Sequence, residues 1–128
     1  MVIIGAGPGG YEAASVAAAG GVDVTVVEET GIGGAAVLTD CVPSKTLIAT
    51  AEVTSTLRRA AELGLRHTET FEVDLDAVNS RVRQLAQAQS DDISRGLERK
   101  GVRLISGRAR LATGAPGHLH RVVINDDE

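Results

Sequence analysis

Thiols, aromatic rings and long apolar runs are scarce in this sequence, and each scarcity removes a class of function. Cys41 is the single cysteine among 128 residues, so the chain closes no disulfide within itself and suits a reducing, cytoplasmic setting. Aromatic residues make up 2% of the chain, Tyr11 and Phe71 with no tryptophan. The core must therefore be aliphatic, and the stacking platforms that usually bind single-stranded nucleic acid are missing. A formal net charge of −4 works against nucleic acid or an anionic membrane as the main partner. The basic residues between Arg95 and Arg110 are interrupted by Glu98 and read as a solvated face. No apolar stretch approaches the ~20 residues of a membrane span, and no basic segment leads into one. His118 and His120 fall on one side of an expected strand but have no third ligand, so no metal site is expected there. His67 reads as a surface loop histidine.

Glycine, by contrast, is plentiful and clustered. Residues 1–4 are an apolar run that ends in glycine, the pattern of a strand buried on both faces. Residues 11–19 read as a helix with a small-residue face at Ala14, Ala17 and Ala18, ended by Gly20-Gly21. Residues 22–27 are β-branched and apolar, a second strand with Glu28 at its C-terminal end. Strand, glycine turn, helix, strand and acid make one βαβ unit. Within it Gly5, Gly7 and Gly10 form G-x-G-x-x-G, whose glycines serve a tight turn, close approach of the backbone to a pyrophosphate, and close helix–strand packing. Glu28 stands where a carboxylate accepts hydrogen bonds from ribose hydroxyls. An acid there opposes a 2′-phosphate, which leaves FAD or NAD for this pocket, while Glu29 reads as a solvated neighbour.

A second glycine-rich loop at residues 31–34 lies too close to the strand to be the next helix. Pro43 suits the first position of a helix, and Leu47, Ala51 and Leu57 fit a mostly buried helix over residues 43–63 that Gly64 ends. Residues 67–72 are polar and show no period. Asp74 or Asp76 caps a long helix carrying Val78, Val82, Leu85, Ile93 and Leu97, with Gly101 beyond its end. Its length allows a break near Ser90-Asp91, and its apolar positions serve equally as core or as a partner surface. Residues 102–105 read as a third buried strand. Residues 107–111 and 119–124 read as arms of a hairpin around Ala115-Pro116-Gly117. The class is α/β: a Rossmann-like domain with a parallel sheet, helices and a β-hairpin layer.

Laid out this way, the chain resembles the FAD-binding start of the flavoprotein disulfide reductases, the family of dihydrolipoamide dehydrogenase, glutathione reductase and mercuric reductase. The resemblance rests on V-I-I-G-A-G-P-G-G-Y-E-A-A (2–14), V-T-V-V-E (24–28) and G-G-A-A-V-L-T-D-C-V-P-S-K (33–45), and more weakly on V-R-L-I-S-G-R-A-R-L (102–111). It implies that Gly5, Gly7, Pro8, Gly9 and Gly10 contact the FAD phosphates and Glu28 the adenosine ribose. It implies that Gly33, Gly34, Ala35 and Ala36 bring backbone to the cofactor, that Cys41 and Lys45 lie beside the flavin, and that the backbone at Ala109 meets the adenine. The family pattern in the middle block is G-G-T-C-x-x-x-G-C-V-P-S-K. Ala36 stands at its first cysteine, the thiol that exchanges with the disulfide substrate, and Asp40 stands at the later glycine.

With that sulfur absent, a dithiol–disulfide relay lacks its second partner. The chain is similar to the branch of NAD(P)H quinone reductases, in which the altered block also occurs. The resemblance therefore implies an FAD-dependent oxidoreductase that takes a hydride from NADH or NADPH and reduces a quinone-like acceptor. Dihydrolipoamide dehydrogenase is the alternative, and an FAD-binding fragment without turnover is another. For Cys41 two readings stand: an inert thiol, or a thiolate favoured by Lys45 and a helix N-terminus and opposed by Asp40. Both ends read as cut, so residues 1–128 are expected to be the N-terminal portion of an FAD-binding domain. The nicotinamide site and a homodimer-forming domain are then expected elsewhere.

Overall fold

The computed structural model describes residues 1–66, 72–112 and 120–125. The chain runs from β1 (Val2–Ile4) through α1 (Pro8–Ala19) to β2 (Thr25–Glu28), then a short α2 (Gly34–Leu38) and α3 (Cys41–Arg58). A 3-10 turn (Ala60–Leu63) follows, then α4 (Leu75–Arg99), β3 (Arg103–Ser106), β4 (Ala109–Leu111) and β5 (Val122–Ile124). The first three strands form a parallel sheet in the order β1-β2-β3, with Val26 of β2 opposite Ile3 on one side and Leu104 on the other. Antiparallel β4 and β5 form the hairpin, with Ala109 opposite Ile124. Its Ala115-Pro116-Gly117 turn lies outside the described residues, as do His67 and His118.

The central strand carries the core. Val26 and Val27 are the largest side chains removed from solvent almost completely. Val26 joins Ala6, Ala14, Val24, Leu97 and Val102 in one cluster, flanked by Ile3, Tyr11, Ile32, Ile93 and Leu104. These are aliphatic side chains with a single ring among them, as a chain poor in aromatics requires. α1 and the C-terminal half of α4 close over the sheet, and Val102 is drawn in by its N–H bond to the Leu97 carbonyl. The strand of residues 102–105 is thus seen one residue later, at Arg103–Ser106.

Several expectations are corrected. β1 is not buried on both faces: Val2 and Ile4 are 48% and 46% exposed, because among the described residues it is an edge strand paired only with β2. The second strand starts at Thr25 rather than Val22, since the Val22 N–H closes the end of α1 on the Ala17 carbonyl. The loop at residues 31–34 does lead into a helix. Gly33 and Gly34 take positive φ values of 99° and 59°, and that turn lets Ala35-Ala36-Val37-Leu38 wind one short helix.

The helix expected over residues 43–63 starts two residues earlier, at Cys41, and gives way to the 3-10 turn after Arg58. Pro43 therefore sits at the third position of the first turn, where its missing N–H still costs nothing. Nor is this helix mostly buried: Leu47 and Leu57 are 46% and 43% exposed, and Thr46 is its one buried residue. Gly64 does end the segment, in the left-handed conformation. Asp74, not Asp76, caps α4, its carboxylate accepting the Ala77 N–H at 2.9 Å. α4 runs unbroken through Ser90-Asp91. The hairpin arms are shorter than expected, three residues each.

Candidate functional site

Two glycine loops stack at the C-terminal ends of β1 and β2. The first leaves β1 and turns into α1, with Gly7 as N-cap and Pro8 at the first helical position. No side chain caps this helix, so its first-turn N–H groups and the positive end of its dipole point out of the turn, the usual cradle for an anion. Gly10 has no room for a side chain, because a Cβ there would land on the Gly5 carbonyl, 2.9 Å from its carbon. At Gly7 and Gly9, where a pyrophosphate needs close access to backbone, an added Cβ would meet nothing within 4 Å. Crowding at the third glycine of the motif and open space at the second are the arrangement this turn requires to hold a dinucleotide.

The second loop lies directly on the first. The Gly33 N–H donates to the Ala6 carbonyl at 2.8 Å. Gly34 approaches so closely that a Cβ on it would stand 3.0 Å from the Gly7 Cα. α2 then carries Ala35, exposed, and Ala36, half-buried, and is followed at once by α3. Cys41 and Lys45 are one turn apart on the first part of α3, and both are exposed. The sequence-predicted residues are thereby gathered into two groups. Gly5, Gly7, Pro8, Gly9, Gly10, Gly33 and Gly34 surround the start of α1, while Ala36, Cys41 and Lys45 follow along α2 and α3.

Glu28 ends β2 and faces the first loop. Its Oε2 accepts the Ala6 N–H at 2.7 Å, and its Oε1 accepts the Thr30 N–H and hydroxyl, each at 2.8 Å. Burial pushes this carboxyl up, but the Ala6, Thr30 and Gly31 amides and the Thr30 hydroxyl outweigh it and hold the pKa below the ordinary 4.5. The carboxylate is thus kept ionised and oriented at the mouth of the loop. Beside it, a cavity of about 210 Å³ is lined by Gly5, Glu28 and Glu29 from one side and Gly107, Arg108 and Ala109 from the other. Ala109, the residue matched to adenine contact, therefore shares a cavity with the residue matched to ribose contact. A cavity of about 370 Å³ between α3 and α4 holds none of these residues.

Sequence reasoning missed Ala6, Thr30 and Ser90. Ala6 links Glu28 to Gly33 through its backbone alone, which leaves no mark beyond a small residue between two glycines. Thr30 had a weak signal, a hydroxyl two residues after an acid, the spacing of a local turn. Ser90 stood out only as a possible helix break. Its hydroxyl instead donates to the Ile32 carbonyl at 2.6 Å.

The glycine cradle, its unencumbered helix N-terminus and the oriented acid fit FAD. A family model described as pyridine nucleotide-disulphide oxidoreductase matches residues 1–123. The chain is 48% identical over 121 residues to an NAD(P)H dehydrogenase (quinone) of Mycobacterium tuberculosis, covering 91% of this chain and 24% of that protein. It is 36% identical over 110 residues to a dihydrolipoyl dehydrogenase of Chlamydia muridarum, covering 86% and 23%. The crystal structure of LpdA from Mycobacterium tuberculosis superposes with a TM-score of 0.85 at 47% identity, over 94% of this chain and 26% of that one. The chain thus spans about a quarter of the length of the curated relatives it matches. Among the described residues, no helix is long and apolar enough to cross a membrane.

Proposed function

This chain belongs to the pyridine nucleotide-disulphide oxidoreductase family, whose enzymes use FAD and NAD(P)H, and from that premise we propose that it serves NAD(P)H oxidation coupled to reduction of a quinone-like acceptor, without a redox disulfide. The observation that carries the reading is Ala36. It occupies the position of the exchanging thiol in a block that otherwise keeps Cys41, Pro43, Ser44 and Lys45. The M. tuberculosis relative named NAD(P)H dehydrogenase (quinone) supports it. One sulfur cannot close a disulfide, so two reducing equivalents have no thiol pair to occupy within these residues. The overall balance is NAD(P)H, a proton and a quinone giving NAD(P)+ and a hydroquinone.

Bound FAD supplies two-electron exchange between the nicotinamide and the acceptor. The chain's own residues bind and orient it. Gly7, Gly9 and Gly10 would offer backbone N–H groups and the helix dipole to the pyrophosphate, while Gly5 and Pro8 shape the turn that presents them. Glu28 accepts from the adenosine ribose, and the backbone at Ala109 borders the adenine. Gly33, Gly34, Ala35 and Ala36 line the approach toward the flavin. Lys45 carries a positive charge suited to stabilising negative charge on the reduced isoalloxazine, and Cys41 lies one turn before it on the same helix. A cytoplasmic homodimer, with the nicotinamide site outside these residues, completes the reading.

The test is steady-state NADH and NADPH oxidation by the full-length protein, comparing a quinone with lipoamide, for wild type and Ala36→Cys. Quinone-dependent turnover with no lipoamide-dependent turnover in the wild type is expected. Thiol-dependent turnover with lipoamide in the wild type would overturn the proposal in favour of a dihydrolipoyl dehydrogenase.

A further inference from the structure

Ser90 is a polar residue in the middle of a long helix, 6% exposed, at a position where alanine would be the better helix former. A buried hydroxyl left without a partner costs about 1–3 kcal/mol, so its value lies in the bond it makes. Its Oγ donates to the Ile32 carbonyl at 2.6 Å, across 58 positions of sequence. Ile32 immediately precedes Gly33, whose N–H is bound to the Ala6 carbonyl at 2.8 Å. The Ala6 N–H in turn is bound to Glu28 Oε2 at 2.7 Å. α4 therefore hydrogen-bonds the second glycine loop through the Ser90 side chain, and that loop reaches the first glycine loop and the acid through the backbone of Ala6.

The anchor itself is firm. One turn and two turns beyond Ser90, Ile93 and Leu97 sit in or against the central core cluster, so the helix cannot drift relative to the sheet without opening the core. Ile32 also packs against that cluster. The loop it heads, however, holds its shape by positive-φ glycines at residues 31, 33 and 34, which are soft when unconstrained.

We infer that Ser90 is a positioning residue for the cofactor: its hydroxyl holds the second glycine loop down on the first and so sets the width of the cleft above the start of α1. This inference rests on the FAD-binding reading above. Without the Ser90 hydroxyl, the Ile32 carbonyl loses its bond to α4, and the Gly33–Gly34 backbone keeps only the Gly33 bond to Ala6 and the packing of Ile32 to hold it near Gly7. The pyrophosphate grip loosens and the flavin end of the cofactor changes its surroundings.

The experiment compares full-length wild type with Ser90→Ala, Ser90→Thr and Leu97→Val. FAD affinity is measured by titrating deflavinated protein through flavin fluorescence, with visible circular dichroism of the bound flavin and the melting temperature of the FAD-free protein alongside. Ser90→Ala is expected to weaken FAD binding about tenfold and to alter the flavin dichroism. Ser90→Thr, which keeps the donor, should stay within threefold of wild type. Leu97→Val removes one core methylene while keeping the Ser90–Ile32 bond, and should lower the melting temperature while leaving FAD affinity within twofold. The inference is overturned if Ser90→Ala binds FAD as wild type does, if Ser90→Thr is as weak as Ser90→Ala, or if Leu97→Val weakens FAD as much. A wild type that binds no FAD at all would instead remove the cofactor reading and this inference with it.

Discussion

The nucleotide-binding frame and the helical arm obey different economies. In the frame, β2 lies between two strands under α1 and α4, and Ala6, Ala14, Val26 and Val27 are removed from solvent almost entirely. In the arm, α3 and the first half of α4 lie against each other, yet Leu47, Ile48, Val53, Leu57 and Leu75 are 43–68% exposed. The threonine hydroxyls of α3 close their hydrogen bonds within the helix. Thr46, Thr50, Thr54 and Thr56 each return a hydroxyl to the carbonyl four residues back. Such bonds satisfy the side chain without tying the helix to anything else. The frame is thus specified by long-range packing and the arm by short-range chemistry, and substitutions should separate the two.

The sharpest break should come at Gly10. An alanine there drives its Cβ into the Gly5 carbonyl, a backbone group that cannot swing aside, so Gly10→Ala should cost about 3 kcal/mol or more. Equilibrium urea unfolding measures it, and a loss under 1 kcal/mol would show that the loop can yield. Next, Val26→Ala empties part of the central strand's core contact and should cost about 2 kcal/mol. Val53→Ala in the arm, where the side chain is 61% exposed, should stay within about 0.5 kcal/mol. Equal losses at the two valines would erase the contrast drawn here.

Glu28→Gln probes the frame electrostatically and should cost about 1.5 kcal/mol at neutral pH, through loss of charge-assisted hydrogen bonds. Because the folded-state pKa lies below the ordinary 4.5, the carboxylate's contribution is fully present above that value. It is lost as pH falls through the lower, folded-state pKa. The gap between wild type and Glu28→Gln should therefore close on acidification below about pH 4.5; a gap that persists would show the network does not depend on charge. A smaller loss than at Glu28 is expected at the start of α4, in the arm. Asp74→Ala removes the one carboxylate cap on α4 and should cost about 1 kcal/mol, read from the shift in urea midpoint.

Much of the frame was legible because its rules are local. G-x-G-x-x-G between an apolar run and a small-residue helix, with an acid ending the next strand, is a pattern of neighbours along the chain. The parallel sheet and α1 followed the same way. The arm was misread where its periodicity was taken for burial. Leu47, Ala51 and Leu57 have core spacing, but spacing states only which residues share a face, not whether anything lies opposite. The same limit applied to β1, whose apolar run suited a strand buried on both faces and, among the described residues, met a partner on one side only. α2 was missed because five residues are too few for a helical period to register.

The candidate site divides along the same line. The sequence by itself determined which groups are available: backbone at a glycine turn, a carboxylate at a strand end, and a lysine one turn after a lone cysteine. Each is a matter of residue type and spacing. Only the tertiary structure decided how those groups are held. The bonds from Gly33 to Ala6 and from Ala6 to Glu28 use backbone atoms that every residue but proline offers in full, and the Ser90 bond spans two elements far apart in sequence. Such contacts depend on where elements come to rest against a common core, which no local pattern of residues encodes.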